Sequence, residues 1–304
     1  MKVYIMADQE GVACVFSRKE RYVHAKEYAT IELVAICEAL LKNGVGEILL
    51  NSVHEIEYHK FPEQVQVLHG LDRHDLFTEG LDETFAAVMI VGMHEMAGGR
   101  ERGCWRHTIL PHPITYAYSS VEAVWLNDTL VGETGLTAAF AGIHGVPVVL
   151  LTGDYWACLE AQDLLPGVET VAVKKGTSYF SAISMTPAAA AEASAQGAVR
   201  ALAKLGTIRP WRLEGPVTLK VRYQFAERAT EAMRGVPEAV RVDERTVAVI
   251  YESIAALRDN LGCLRTPEEA VFQRDTGFRH TTGLFTRTGG EPYESRVTYP
   301  LSQS

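Results

Sequence analysis

Short apolar runs that end on a polar or small residue recur along the chain. Residues 2–8 (KVYIMAD) end on a carboxylate, 46–51 (GEILLN) on an amide, and 86–92 (AAVMIVG) on a glycine that precedes His94. Residues 147–153 (PVVLLTG) and 169–174 (ETVAVK) follow the same form, and 121–127 (VEAVWLN) alternates. Runs of this length between turn signals predict strands, most of them buried on both faces. Helical periodicity lies between them. Over 24–42, Ile31, Val34, Ala35, Glu38 and Leu41 recur at three- and four-residue steps. GETGLTAAFAGIHG (132–145) follows an Asn127-Asp128 turn, and further helices are predicted over 154–163 and the Ala-rich 187–205.

Strands alternating with helices predict an α/β fold, a three-layer αβα arrangement with a mostly parallel sheet. Residues 1–208 are expected to form a metal-binding catalytic domain. Beyond Thr-Ile-Arg-Pro-Trp (207–211), strands near 216–224 and 246–250 and helix-like stretches at 225–234 and 251–262 suggest a smaller C-terminal α+β lobe over 209–264. Residues 265–304, rich in Thr, Arg and Gly, read as an arm or tail.

Charge narrows the partners. With 38 acidic and 29 basic residues the net charge is −9. That sign repels phosphate backbones and argues against nucleic acid. No apolar run approaches the roughly 18–20 residues of a membrane span, and acidic residues arrive by position 8, before any signal-peptide core could form. The five cysteines (14, 37, 104, 158 and 263) are odd in number and never form C-x-x-C. They read as reduced thiols and suit a cytoplasmic protein. Walker, dinucleotide-binding and G-x-S-x-G patterns are all absent, so phosphate cradling and serine hydrolysis lose their support.

In parallel sheets, ligands gather at the carboxyl ends of strands. Several metal-type residues fall at such ends. Asp8 and Glu10, two apart on an extended segment, point to one side, and two close like charges favour a cation between them. His54 follows the strand that ends near Asn51, and His59, five residues on, reads as a surface residue. His94 follows Gly92. Glu133 falls near a helix N-terminus, where a carboxylate is favoured in any case. His107 can act as a general acid or base near neutral pH. Its neighbour Cys104 makes a weak case for a Cys–His pair, and His112, between prolines, reads as structural. Asp154 reads as an N-cap. Each signal alone has a plain structural explanation. Together, Asp8, Glu10, His54, His94 and Glu133 supply three carboxylates and two imidazoles, enough for two zinc-type ions sharing a carboxylate.

The blocks ADQEGV (7–12), LNSVH (50–54), VGMH (91–94), RHT (106–108) and NDTLVGETGL (127–136) resemble, in order and spacing, the zinc-dependent D-aminopeptidase family of the bacterial dipeptide-transport operon. The resemblance covers roughly residues 1–264. It implies two Zn2+ per subunit, with Mn2+ or Co2+ as alternatives. Asp8 would bridge the ions, Glu10 and His94 would complete one, and His54 and Glu133 the other. His107 would match the family's catalytic histidine, read here as a general acid or oxyanion stabiliser. The implied activity is hydrolysis of short peptides, including those with N-terminal D-residues, by a metal-bridged hydroxide. A homo-oligomer, in that family a ring-stacked decamer, is implied too. Rival readings are an amidohydrolase acting on a non-peptide amide and a non-catalytic metal-binding oligomer. The chain departs from the family at Ser52, where Asp is frequent, and over 95–103 and 265–304, both candidates for lining a substrate entrance.

Overall fold

A computed structural model describes residues 1–17, 21–70, 75–100, 102–109 and 120–261, and the backbone of three short strands at 278–281, 284–287 and 292–293. Its main sheet has seven strands in the order β3-β2-β1-β4-β7-β8-β9. These are β1 (Lys2–Ala7), β2 (Glu47–Ser52), β3 (Val65–His69), β4 (Ala87–Met93), β7 (Val148–Asp154), β8 (Glu169–Ser178) and β9 (Ser181–Ser184). All pair in parallel except β9, which turns back antiparallel on β8 as an edge strand. The mostly parallel α/β sheet is therefore as expected, and β3 and β9 are additions. Neither shows a strong apolar run: β3 mixes half-buried with exposed positions (Gln66 and His69), and β9 (SAIS) is short and polar.

The strands are apolar because both faces are covered. In β1, Val3, Ile5 and Ala7 enter one core, while Tyr4 and Met6 enter the other. Each such side chain contributes roughly 1.5–3 kcal/mol on burial. Helices α1 (Lys26–Lys42) and α4 (Pro187–Ala203) cover the first face. The α1 helix lies where the periodicity put it, but its buried stripe is Ala29, Leu33, Ile36, Cys37 and Leu40. Ile31 and Glu38 of the expected stripe point to solvent, because the packing surface of α4 selects the neighbouring face.

The second face packs on α2 (Glu133–Ile143) and a second, antiparallel sheet. That sheet runs β11-β12-β10-β5-β6, from β5 (Val121–Leu126), β6 (Thr129–Leu130), β10 (Val217–Tyr223), β11 (Val240–Arg241) and β12 (Thr246–Tyr251). Strands from both sides of position 208 thus share one sheet and one core. Helices α3 (Tyr155–Leu164), α5 (Ala226–Gly235) and α6 (Ile254–Asp259) complete the described residues. Among these residues no helix is long and apolar enough to cross a membrane. Most of 265–304 lies outside the described residues, as do His112 and Cys263.

The chain runs from β1 outward through β2 to β3, then returns to β4 on the other side of β1. The reversal opens a crevice at the carboxyl ends of β1 and β4, the usual ligand position in such sheets. The backbones meet closely there. Gly92 has φ +79° at the end of β4, and a Cβ on it would stand 2.3 Å from the Asp8 carbonyl oxygen. Only glycine fits.

Candidate metal centre

Five segments deliver ligand-type side chains to this crevice. Asp8 follows β1; its amide donates to Val91 O at 2.8 Å, and its Oδ1 accepts from Gln9 N at 2.8 Å. Glu10 lies two residues on. His54 follows β2, and Ser52 Oγ donates to the His54 carbonyl at 2.5 Å, so the serine at the departing position ties down the His54 backbone. His94 follows β4. Glu133 is the first residue of α2, and its Oε1 accepts from Ile109 N at 2.9 Å. His107 arrives on a loop whose return is fixed by His107 N donating to Glu95 O at 3.2 Å. The buried Glu95 carboxylate gathers that loop, accepting from the amides of Arg100, Arg102 and Gly103.

Asp8 is the hub. Its Oδ1 is 3.0 Å from His54 Nε2, which also lies 3.1 Å from Glu10 Oε2. Its other oxygen, Oδ2, is 3.4 Å from His94 Nε2, which lies 3.5 Å from Glu133 Oε1. His107 Nε2 is 3.9 Å from the same Glu133 oxygen. Donor atoms of Asp8, Glu10 and His54 lie within 4.8 Å of one another, as do those of His94, His107 and Glu133. The six side chains expected to be functional are therefore together. Their grouping differs from the one the resemblance implies: Glu10 sits with His54, and His94 with Glu133. The reason is local. Glu10 and His54 leave adjacent strands on one side of Asp8, while His94 leaves β4 on the other.

Burial and crowding set the electrostatics. Burial pushes Asp8 up to about 7, with Glu10 adding to the effect. Burial opposes protonation of His54, but Glu10 and Asp8 prevail and raise it to about 9. Burial likewise opposes protonation of His94, which Glu133 and Asp8 raise to about 10. Burial and then the His94 charge push His107 down to about 4. Burial also works against ionisation of Glu133, yet His94 holds its carboxyl below the usual range.

The donor set fits divalent cations. His94 Nδ1 sits 2.9 Å from Glu95 O, which fixes the proton there and turns the Nε2 lone pair into the crevice. That Nε2 is buried and has no hydrogen-bond partner. His107 follows the same plan, with Nδ1 at 2.9 Å from Trp105 O. Three buried carboxylates and three imidazoles, two of them tautomerically fixed, suit zinc-type ions better than an ion-free arrangement of crowded like charges.

The remaining sequence candidates fall outside the cluster. His59 is exposed. The Cys104 thiol is aimed at Phe16 O at 3.2 Å. Asp154 caps α3, accepting from Trp156 N at 3.1 Å, and also accepts from the amides of Cys104 and Gly176. Three buried charged residues around the site were not anticipated: Glu95, Glu160 and Lys174. Glu160 Oε1 accepts from Gly132 N at 2.8 Å, just before Glu133. Lys174 closes an apolar strand run and reads there as a surface end.

Comparison with known proteins places the chain among D-aminopeptidases. The profile of the Peptidase_M55 family, described as D-aminopeptidase, matches residues 1–261. A D-aminopeptidase of Bacillus subtilis (strain 168) is 29% identical over 220 residues, which are 69% of this chain and 77% of the relative. A solved structure described as a Zn-dependent D-aminopeptidase, DppA from Bacillus subtilis, a self-compartmentalizing protease, shares the fold. It superposes with TM-score 0.79 at 24% identity, covering 86% of this chain and 95% of that one.

Proposed function

The chain belongs to the Peptidase_M55 family of D-aminopeptidases and is a peptide hydrolase, and we propose that it is a binuclear zinc aminopeptidase acting on short peptides, including those with N-terminal D-residues. Asp8 would hold both ions, with Glu10 and His54 completing one and His94 and Glu133 the other. Bound zinc supplies a Lewis acid for the scissile carbonyl and a water acidic enough to ionise near neutral pH.

The chain's own residues supply the rest. His107 is kept neutral by its burial, with Nδ1–H committed to Trp105 O and Nε2 facing Glu133. It is therefore placed to take up a proton at Nε2 and return it to the departing amine. The Glu95-centred loop holds His107 in place through His107 N on Glu95 O. One observation supports the assignment above the others: side chains from five segments converge around Asp8, and the buried His94 Nε2 faces the Asp8 and Glu133 carboxylates at 3.4 and 3.5 Å without forming a hydrogen bond.

By analogy with the self-compartmentalizing relative we propose a homo-oligomer, and the cysteines, read as reduced thiols, suit a cytoplasmic location. The test is metal analysis of the purified chain, followed by assay on paired D- and L-dipeptides. About two zinc ions per chain and hydrolysis that is lost in EDTA and restored by zinc are expected. Undiminished hydrolysis after the metal is stripped would overturn the assignment.

A further inference from the structure

Lys174 is 2% exposed, midway along the β8 strand. A buried ammonium is costly unless its protons are used. Here they are spent on main-chain oxygens: Nζ donates to Glu10 O and, at 2.5 Å, to Val15 O. Those two carbonyls lie at either end of residues 10–15. The amides of this segment look elsewhere, with Gly11 N on Gly92 O at 2.7 Å, Val12 N on Gln9 O and Val15 N on Val12 O. One ammonium thus closes the loop from inside, as a small cation would. A shift in register between β7 and β8 sets Lys174 opposite Asp154.

The consequence reaches the site through Glu10. Its carbonyl is held by Lys174, and its carboxylate faces His54 at 3.1 Å. The two groups leave the same residue, so fixing one restricts the other. Lysine also carries no lone pair when charged and cannot compete as a ligand.

We propose that Lys174 is a positioning residue: it ties Glu10 and Val15 into one loop and so presents the Glu10 carboxylate beside Asp8. The effect on the loop stands independently. The effect on zinc rests on the proposed function above.

The test uses the full-length chain, stripped of metal by chelation, as wild type, Lys174→Met and Lys174→Gln. Amide hydrogen exchange of Gly11, Val12 and Val15 is compared with that of Tyr4 to Met6 in β1. Zinc affinity is then measured by competition with a chromophoric chelator. Lys174→Met is expected to speed exchange in the loop by about tenfold or more with β1 unchanged, as befits a local opening. It should weaken one zinc affinity by roughly 10–100-fold and spare the other, the usual size for a group behind a ligand. Lys174→Gln, which keeps a donor, should lie between, and it carries the test if Lys174→Met does not fold. Unchanged loop exchange in a folded variant overturns the proposal, and so does faster exchange with both zinc affinities intact. A wild type that binds no zinc overturns the metal assignment instead and leaves the exchange comparison to decide the role of Lys174.

Discussion

His107 lies flat against His94, with ring centroids 3.9 Å apart and planes 14° from parallel. Two cationic rings could not share that stack, and the pair resolves the conflict by unequal titration: His94 is pushed up to about 10 and His107 down to about 4. The inner ring thereby favours the charged form and the outer one the neutral form that the proposed base requires.

His107→Ala removes that base. Turnover on a dipeptide should fall roughly 10²–10⁴-fold, the usual worth of a positioned acid–base group. Zinc content, read by atomic emission, should stay at the wild-type value. A variant that loses zinc as well would make His107 a ligand, an option its place near His94 and Glu133 leaves open.

Asp8 and Glu10 differ in reach, and their amides should differ accordingly. Asp8 Oδ1 and Oδ2 face His54 and His94 respectively, whereas Glu10 Oε2 lies on the His54 side, 3.1 Å from His54 Nε2. Asp8→Asn should therefore leave the protein with little or no zinc, and Glu10→Gln should retain about one ion of the two in a binuclear site. Equal loss in both variants would contradict a shared Asp8.

Much of this site was legible because metal ligands follow strand ends, and strand ends are visible as the stop of an apolar run. Asp8, His54 and His94 each stand within two residues of a strand terminus. Which candidate ligands stand together was not legible, since it depends on which strands are neighbours, and the order β2-β1-β4 is a property of the whole sheet. The second sheet was not legible for the same reason: β5 and β10 are distant in sequence yet pair from Leu126 opposite Leu219 to Val121 opposite Tyr223, a contact no local pattern encodes. Lys174 and Glu160 looked ordinary because a charged residue beside an apolar run usually faces water. Only the folded chain shows backbone groups waiting for them.

Stability of the metal-free protein should fall as pH rises from 7 to 9. His54 and His94 bind protons more tightly folded, to about 9 and about 10, than unfolded, near 6.5. Their contribution is complete below the unfolded value and is lost as pH climbs toward the folded ones. Asp8, raised to about 7, also loses stability with rising pH, but between about 4 and 7. His107, lowered to about 4, acts oppositely and only below 6.5. In the 7–9 window the two raised imidazoles therefore titrate without a contribution from Asp8 or His107. Zinc needs them neutral, so its stabilisation should widen over the same window. Melting temperatures with and without zinc at three pH values check both signs; a metal-free protein that gains stability from 7 to 9 would refute the assignment.

Gly92→Ala should damage the site through the backbone alone. Two costs add. The residue sits at φ +79°, where a side chain costs about 1 kcal/mol. The new methyl would also stand 2.3 Å from the Asp8 carbonyl oxygen and 3.0 Å from Val12 Cγ2, and the former is main chain that carries a ligand. Gly44 separates the costs, because it has φ +92° with nothing within 4 Å of its added methyl. Gly44→Ala should lower the melting temperature by roughly 2–4 °C and leave zinc affinity unchanged. Gly92→Ala should lower it further and weaken zinc binding, since relief of the clash must move Asp8. If the two variants behave alike in both measurements, the close approach of β4 to the Asp8 turn does not set the ligand geometry.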